Sequence, residues 1–398
     1  MKEANKRLLA LDVLRGVTIA GMVLVNNPGS WGKMYAPLAH AQWHGLTPCD
    51  LVFPFFMFIM GISTCISLRK YDYEWSATTA LKIFRRSFAI YGIGLALAWF
   101  SLSLRTWNSL AVEELSFWSR LGNSLWTFDR IRLTGVLARL ALCYCATALI
   151  VISMKHKHVP RLIGGMLLAY FCILLFGNGF EYNETNILSR VDRAVLGFKH
   201  LYNDNGIDPE GLLSSIPAIA HVLIGFCCGK WLLELKDINE KIQRLFLVGT
   251  ILTFSGFLLS YGCPINKKIW SPTYVLATCG MASSLLAVLI WIIDVKGKKT
   301  WSRFFEVFGV NPLFLFVLGS MTGILMANIR VSLGEQTVSL QRYIYSELFA
   351  RLQRYIYSEL FAPLLSDYPG SLVYSLLIVF FVWSIGYVLY KKQIYIKI

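Results

Sequence analysis

Stretches of about twenty continuously apolar residues recur along the whole chain, and this constrains its fold more than anything else in the sequence. Each is long enough to cross ~30 Å of hydrocarbon as a helix. Backbone in that layer must satisfy its own hydrogen bonds, so helices follow from the pattern. Hydrophobic residues make up 56% of the chain and charged residues only 15%, where a soluble domain carries about a quarter charged. The expected fold is therefore all-α: one polytopic transmembrane helical bundle over residues 1–398.

The apolar runs predict ten spans: 8–28, 51–68, 83–103, 133–154, 161–177, 214–233, 245–261, 273–293, 305–328 and 369–390. The links alternate in character. One set is short and basic, with Lys70, Arg85 and Arg86, Lys155 and Lys157, Lys241, Lys298 and Lys392 as examples. These links are expected in the cytoplasm, which places both termini there. The other set, 29–50, 104–132, 178–213, 262–272 and 329–368, is longer and less densely basic, and is expected on the non-cytoplasmic face. The first apolar run lacks a small-residue cleavage site and reads as helix 1, not as a cleavable signal. A net charge of +15 would suggest nucleic acid in a soluble protein; here the basic residues mark topology, and no nucleic-acid partner is expected. The partner implied throughout is the lipid bilayer.

The nine cysteines show no C-x-x-C pattern, and most fall in apolar runs as small hydrophobes. The segment LQRYIYSELFA occurs at 340–350 and again at 352–362. Twelve residues rotate the second copy by about 120° on a continuous helix. Leu340, Ile344, Leu348, Leu352, Ile356 and Leu360 form a slowly winding stripe that suits an interfacial helix. A tandem duplication of a tolerant loop is the plainer reading.

Polar groups inside or beside spans are costly, so each is a candidate for function. Asp12 and Arg15 share one helical face and can pair. Arg15 either snorkels beside a local acid or faces an anionic ligand. Asn26 lies about 21 Å from Asp12 along the same helix. The following loop gathers Trp31, His40, Trp43 and His44, then Asp50 at the start of helix 2. A histidine there can take up and release a proton near neutrality. Asp50 either orients it or caps helix 2. His40 and His44 lack a nearby third ligand, so no metal is expected.

Arg132 and Arg139 sit seven apart on one face of span 4. Asp208 and Glu210 precede span 6, complementing its dipole or recognising sugar hydroxyls or an amine. Asn266, Lys267 and Lys268 stand where basic residues are least expected, which points to anion binding. His221, inside span 6, reads as a hydrogen-bonded core residue.

In order, the segments RLLALDVLRG, HAQWHGLTPCDLVFPFFMFIMG, GVLARLALCY, DPEGLLSSIPAI, INKKIWSPTYVL and GVNPLFLFVL resemble the heparan-α-glucosaminide N-acetyltransferase family, including its bacterial branch. The second segment is the most specific. The resemblance implies a multi-pass protein of a bacterial inner membrane that moves an acetyl group from cytoplasmic acetyl-CoA to the amine of a glucosamine-type sugar on the other face. It sets the family's catalytic histidine on His40 and its helix-1 asparagine on Asn26. His40 would act as general base or acetyl carrier, Asn26 would donate to the developing oxyanion, and Asp50 would support His40. Arg15, Arg85, Arg86, Arg132, Arg139, Lys267 and Lys268 are the candidates for CoA, and Trp43, His44, Asp208, Glu210 and Asn266 for the sugar. No metal is implied, and a homodimer is compatible. The rival reading is a transporter of amino sugars or cell-wall fragments.

Overall fold

The computed structural model describes residues 8–202, 204–333, 336–355 and 367–396. In chain order its helices are α1 (Leu9–Asn26), α2 (Pro48–Leu68), α3 (Ala77–Ser109), α4 (Phe117–Leu125), α5 (Val136–Ser153), α6 (Val159–Phe176) and α7 (Ile187–Leu196). These are followed by α8 (Ser215–Glu234), α9 (Ile238–Leu259), α10 (Pro272–Ile290), α11 (Arg303–Val310), α12 (Pro312–Asn328), α13 (Leu340–Tyr355) and α14 (Asp367–Lys391). A two-stranded antiparallel hairpin, Arg330–Leu333 with Gln336–Ser339, precedes α13. Among the described residues nine helices are long and apolar enough to cross a membrane, and α11 with α12 makes a tenth bent span. The expected all-α polytopic bundle is the observed one.

Helices α1, α2, α8 and α10 form the buried centre, while α3, α6 and α9 turn most of their surface outward. Local chemistry sets where they begin. Ser76 Oγ accepts from Thr79 N at the start of α3, Asp237 accepts from Asn239 N and Glu240 N at α9, and Ser271 Oγ accepts from Tyr274 N at α10. Proline occupies the first turn of α2, α10 and α12, where its missing N–H costs nothing.

Two expectations are corrected. The run 305–328 is not one straight span: it bends by 79° between Val310 and Pro312. A residue before proline is pushed out of the helical region, and Asn311 sits at φ −124°, ψ 56°. The side chain of Asn311 then bridges the C-terminal tail, donating to Ile394 O and accepting from Ile396 N, both at 2.9 Å. Helix α3 runs well past the expected 83–103 at both ends, so the link 104–132 holds the end of α3 and α4, and the link 178–213 holds α7. The first copy of the duplicated segment is helical, and the helix continues unbroken across the junction to Tyr355; Ile356 and Leu360 lie outside the described residues. The cysteines are free thiols.

Packing at the centre depends on absent side chains. A Cβ on Gly61 of α2 would collide with the Val222 carbonyl of α8, and one on Gly225 of α8 with the Phe58 carbonyl of α2. Small residues let helix backbones approach closely where no hydrophobic force drives association within lipid. Overpacking of this kind typically costs about 1–3 kcal/mol, more where backbone must move. Gly225→Val is therefore expected to lower the thermal midpoint in detergent sharply, whereas Gly92→Val, on an open surface of α3, should leave the midpoint within a few degrees.

Candidate functional site

Helix α2 contains Pro54, which has no N–H to give to the carbonyl four residues earlier. That carbonyl belongs to Asp50, and Tyr274 of α10 donates its hydroxyl to it at 2.7 Å. Tyr274 is fully buried and packs edge-on against Trp270, which meets Phe53 and His221 in the same way. His221 Nε2 lies 2.9 Å from the Pro54 carbonyl, so it is the hydrogen-bonded core residue expected from the sequence. Pro54 thus frees the backbone of α2 to be pinned at Asp50 by a neighbouring helix.

The two carboxylate oxygens of Asp50 do different work. Oδ2 accepts from Ala41 N at 3.1 Å and from Thr47 N at 3.2 Å, closing the loop before α2 and completing a capping box. Oδ1 lies 2.7 Å from His40 Nδ1. The sequence left capping and orientation as alternatives, and the residue performs both. A carboxylate partner assigns the proton to Nδ1 and leaves the lone pair on Nε2. Lys267 Nζ pairs with Asp50 Oδ1 at 3.4 Å. It also lies 3.1 Å from His40 Nδ1, where with the proton on Nδ1 both groups are donors and the shared carboxylate is what holds them together. Cys49 Sγ is 3.2 Å from the same ring nitrogen.

The loop Cys263–Ser271 delivers Lys267. Asn266 is buried, and its Oδ1 accepts from Lys268 N and Ile269 N, so it shapes this turn and does not line the cavity. Gly45 N donates to Ile265 O at 2.9 Å, tying the two loops together. Lys268 Nζ reaches Asp204 Oδ2 at 2.6 Å and the Tyr182 hydroxyl at 2.8 Å. Burial would lower the Lys268 ammonium, but Asp204 outweighs it and holds its pKa above the ordinary value.

His40, Asp50, Lys267 and Lys268 share a cavity of about 620 Å³ with Asn26, Trp31, Arg132, Tyr202, Asp204 and Glu210. Arg132 grips Asp208 through two nitrogens, at 3.2 and 2.6 Å, and Glu210 Oε2 at 2.6 Å. Burial pushes the Asp208 carboxyl up, and the Arg132 guanidinium more than reverses this, leaving it below its ordinary value. Asp208 is inaccessible and also accepts from Tyr202 N and Thr134 Oγ1, whereas Glu210 keeps a face on the cavity. Trp43 stacks on Tyr182 at 4.5 Å and donates to Phe180 O, holding loop to loop. His44 does not line the cavity; burial lowers its pKa against the opposing charge of Glu181.

A second cavity of about 420 Å³ opens at the basic end, lined by Arg15, Ser63, Tyr71, Lys82, Arg86 and Tyr144 among others. Arg15 bonds Asp12 Oδ1 and Ser63 Oγ, both at 2.9 Å. Arg86 lies over the Tyr144 ring at 4.7 Å, and its Nε is buried with no partner among the described residues. Arg85 is exposed and lines neither cavity. Arg139 is buried, donates to Gly211 O at 3.0 Å and to Ser214 Oγ, and covers the Trp270 ring at 5.1 Å; it too lines neither cavity.

The two cavities nearly meet. On α2 the lining passes from Phe53 to Phe56, on α5 from Val136 to Leu140, and on α12 from Phe316 to Leu313. Those steps are about 4.5–6 Å of helix rise. The bend at Asn311 is what sets Pro312 and Leu313 on the basic side of this partition. Sequence reasoning missed Tyr202, Asp204 and Tyr274. The first two stand in a long polar loop with no local pattern, and Tyr274 acts through its contact with Asp50, 224 positions away.

No family model matches the chain. It is 29% identical to the heparan-alpha-glucosaminide N-acetyltransferase of Homo sapiens over 373 residues, covering 78% of this chain and 52% of the human protein. The Mus musculus protein of the same name is 28% identical over 380 residues, covering 79% and 54%. The chain thus spans about half the length of these curated relatives. By its fold the chain is a multi-pass membrane protein, and in sequence it is similar to these two heparan-alpha-glucosaminide N-acetyltransferases.

Proposed function

We propose that the protein transfers an acetyl group from acetyl-CoA, bound from the basic, cytoplasmic end, to the amine of a glucosamine-type sugar at the opposite face. The observation that carries this reading is the His40–Asp50–Lys267 cluster, set in one cavity and divided from a basic cavity by about one helical turn. Arg15, Lys82 and Arg86 suit the CoA phosphates, and the unpartnered Arg86 Nε is a buried donor awaiting an anion. The thioester arm, being thin and largely uncharged, then has only the partition to cross. Arg132, Lys267 and Lys268, grouped with CoA in the sequence reading, stand at the far end and would meet the acetyl group and the acceptor.

At His40 the chemistry needs an imidazole with a free Nε2. That atom either takes the proton as the amine nitrogen attacks the thioester carbon, or itself receives the acetyl group before the amine does. In the direct route the amine C–N bond forms as the C–S bond breaks, and the amine proton taken by Nε2 passes to the departing thiolate. In the carrier route the C–Nε2 bond forms as the C–S bond breaks, and the amine then displaces Nε2 to form its own C–N bond. The proton the amine sheds there balances the one taken up by the thiolate. Asp50 holds the tautomer and supports the positive imidazole that forms, and Lys267 balances the Asp50 charge. Asn26, on the same cavity, can donate to the oxyanion, a contribution typically of ~3–4 kcal/mol. Glu210 is the anionic group best placed for an amine or sugar hydroxyl.

Two facing cavities on shared helices would also serve a carrier, in which a histidine and a carboxylate would relay a proton; acetylation of the amine is what separates the enzyme from it. In radiolabelled acetyl transfer by purified protein, His40→Ala is expected to lose ~10²–10⁴-fold or more in rate, with CoA binding retained. His44→Ala should stay within several-fold. Wild-type turnover in His40→Ala, alongside movement of labelled sugar across proteoliposomes, would give the protein to the carrier reading. Glu210→Gln is expected to raise KM for the amine about tenfold and leave kcat nearly unchanged, since loss of a charge-assisted hydrogen bond costs about 1.5–3 kcal/mol. A fall confined to kcat would place Glu210 in the chemical step.

A further inference from the structure

A third cavity, about 470 Å³, opens between α3, α5 and α12 and shares Arg132, Val136, Tyr202 and Phe316 with the His40 cavity. Its wall on α3 is the stripe Leu95, Ala98 and Leu102, which ends one turn later in Arg105. From Leu95 to Arg105 is about 15 Å of helix. Phe316, Ser320 and Ile324 of α12 form the facing stripe. Helix α3 is largely unburied within the protein and is one of the spans, so this groove is a membrane-facing slot with a cationic rim.

Two features set the depth and chemistry of that rim. Trp118 and Trp126, on and just after α4, which packs along α3, are 76% and 78% exposed. Such a belt of amphipathic rings sits at headgroup level. Arg105 is exposed and has no hydrogen bond or ion pair among the described residues, and Arg130 reaches only Thr106 Oγ1, at 3.2 Å. Two cations with no acidic partner, above ~15 Å of apolar wall and joined to the His40 cavity, complement one kind of molecule: a hydrocarbon chain, then a phosphate, then a sugar.

We infer that the acceptor is a lipid-borne amino sugar, linked to its hydrocarbon anchor through a phosphate, which enters sideways from the membrane between α3 and α12. The chain lies along Leu95, Ala98 and Leu102, the phosphate meets Arg105 and Arg130, and the sugar amine passes Arg132 and Tyr202 towards His40. This rests on the acetyl-transfer reading and names its substrate class. A water-soluble acceptor would make no use of the groove, and a resident phospholipid would occupy it without affecting acceptor choice.

The test uses the full chain in phosphatidylcholine nanodiscs with radiolabelled acetyl-CoA and two acceptors, free glucosamine and glucosamine 1-phosphate esterified to a prenyl alcohol. For wild type, kcat/KM for the prenyl-linked acceptor is expected to exceed that for free glucosamine by about 100-fold or more, since two charge-assisted contacts each contribute about tenfold. Arg105→Gln with Arg130→Gln should lower the prenyl-linked value by about that factor and leave free glucosamine unchanged, which also reports folding. Ala98→Trp, plugging the groove without touching charge, should reproduce the selective loss. Equal kcat/KM for the two acceptors in wild type, or equal losses for both in either variant, would overturn the inference while leaving acetyl transfer standing. Acetylation of neither acceptor would sink both together.

Discussion

The contacts of a single buried carboxylate, Asp50, hold the site together. Its side chain is 1% exposed, and an ionised group at that depth is tolerable only if every lone pair is used. Oδ2 spends itself on Ala41 N and Thr47 N, and Oδ1 on His40 and Lys267. Its backbone carbonyl, released by Pro54, is taken by Tyr274. One residue therefore starts α2, folds the loop before it, fixes the imidazole, and locks α2 against α10. Removing one partner of such a buried network typically costs about 3–5 kcal/mol. That cost explains why stability and chemistry cannot be separated at this position.

The rest of the bundle arranges access to that point. The close approach of α2 and α8 at Gly61 and Gly225 keeps the centre narrow. The break at Asn311 turns what would have been a straight wall into a partition with Leu313 on one side and Phe316 on the other. Phe53 and Phe56 form the matching pair on α2. A partition about one turn thick separates the two cavities. The His40 cavity mixes Asp204 and Glu210 with Arg132, Lys267 and Lys268, whereas the other cavity is lined by Arg15, Lys82 and Arg86 with no acidic side chain among the described residues of its lining, so the two spaces differ in charge.

The sequence made the number and type of spans legible because apolar length is dictated by the bilayer itself. The pairing of His40 with Asp50 was also within reach, since ten residues and one loop separate them. Lys267 stood out as a cation on the wrong face, but its partners lie 227 and 217 positions away and no periodicity reports such distances. The Asn311–Pro312 break was present in the sequence as a dipeptide, and continuous apolarity on both sides concealed it. The ends of α3 were missed for the opposite reason: Ser, Thr and Arg there look like loop, yet they form helix that leaves the apolar layer. Arg139 drew attention as a charge in a span, and it proves to be spent on the turn at Gly211 and Ser214 and on the Trp270 ring.

The central claim is that the donor and the acceptor meet from opposite sides of the membrane. Proteoliposomes of uniform orientation, carrying labelled acetyl-CoA only on the side of the Arg86 cavity and an amino-sugar acceptor only on the side of the His40 cavity, test this directly. The account predicts that N-acetylated sugar accumulates in the acceptor compartment while free CoA accumulates in the donor compartment. Product that forms only when both substrates are supplied to the same side would contradict it.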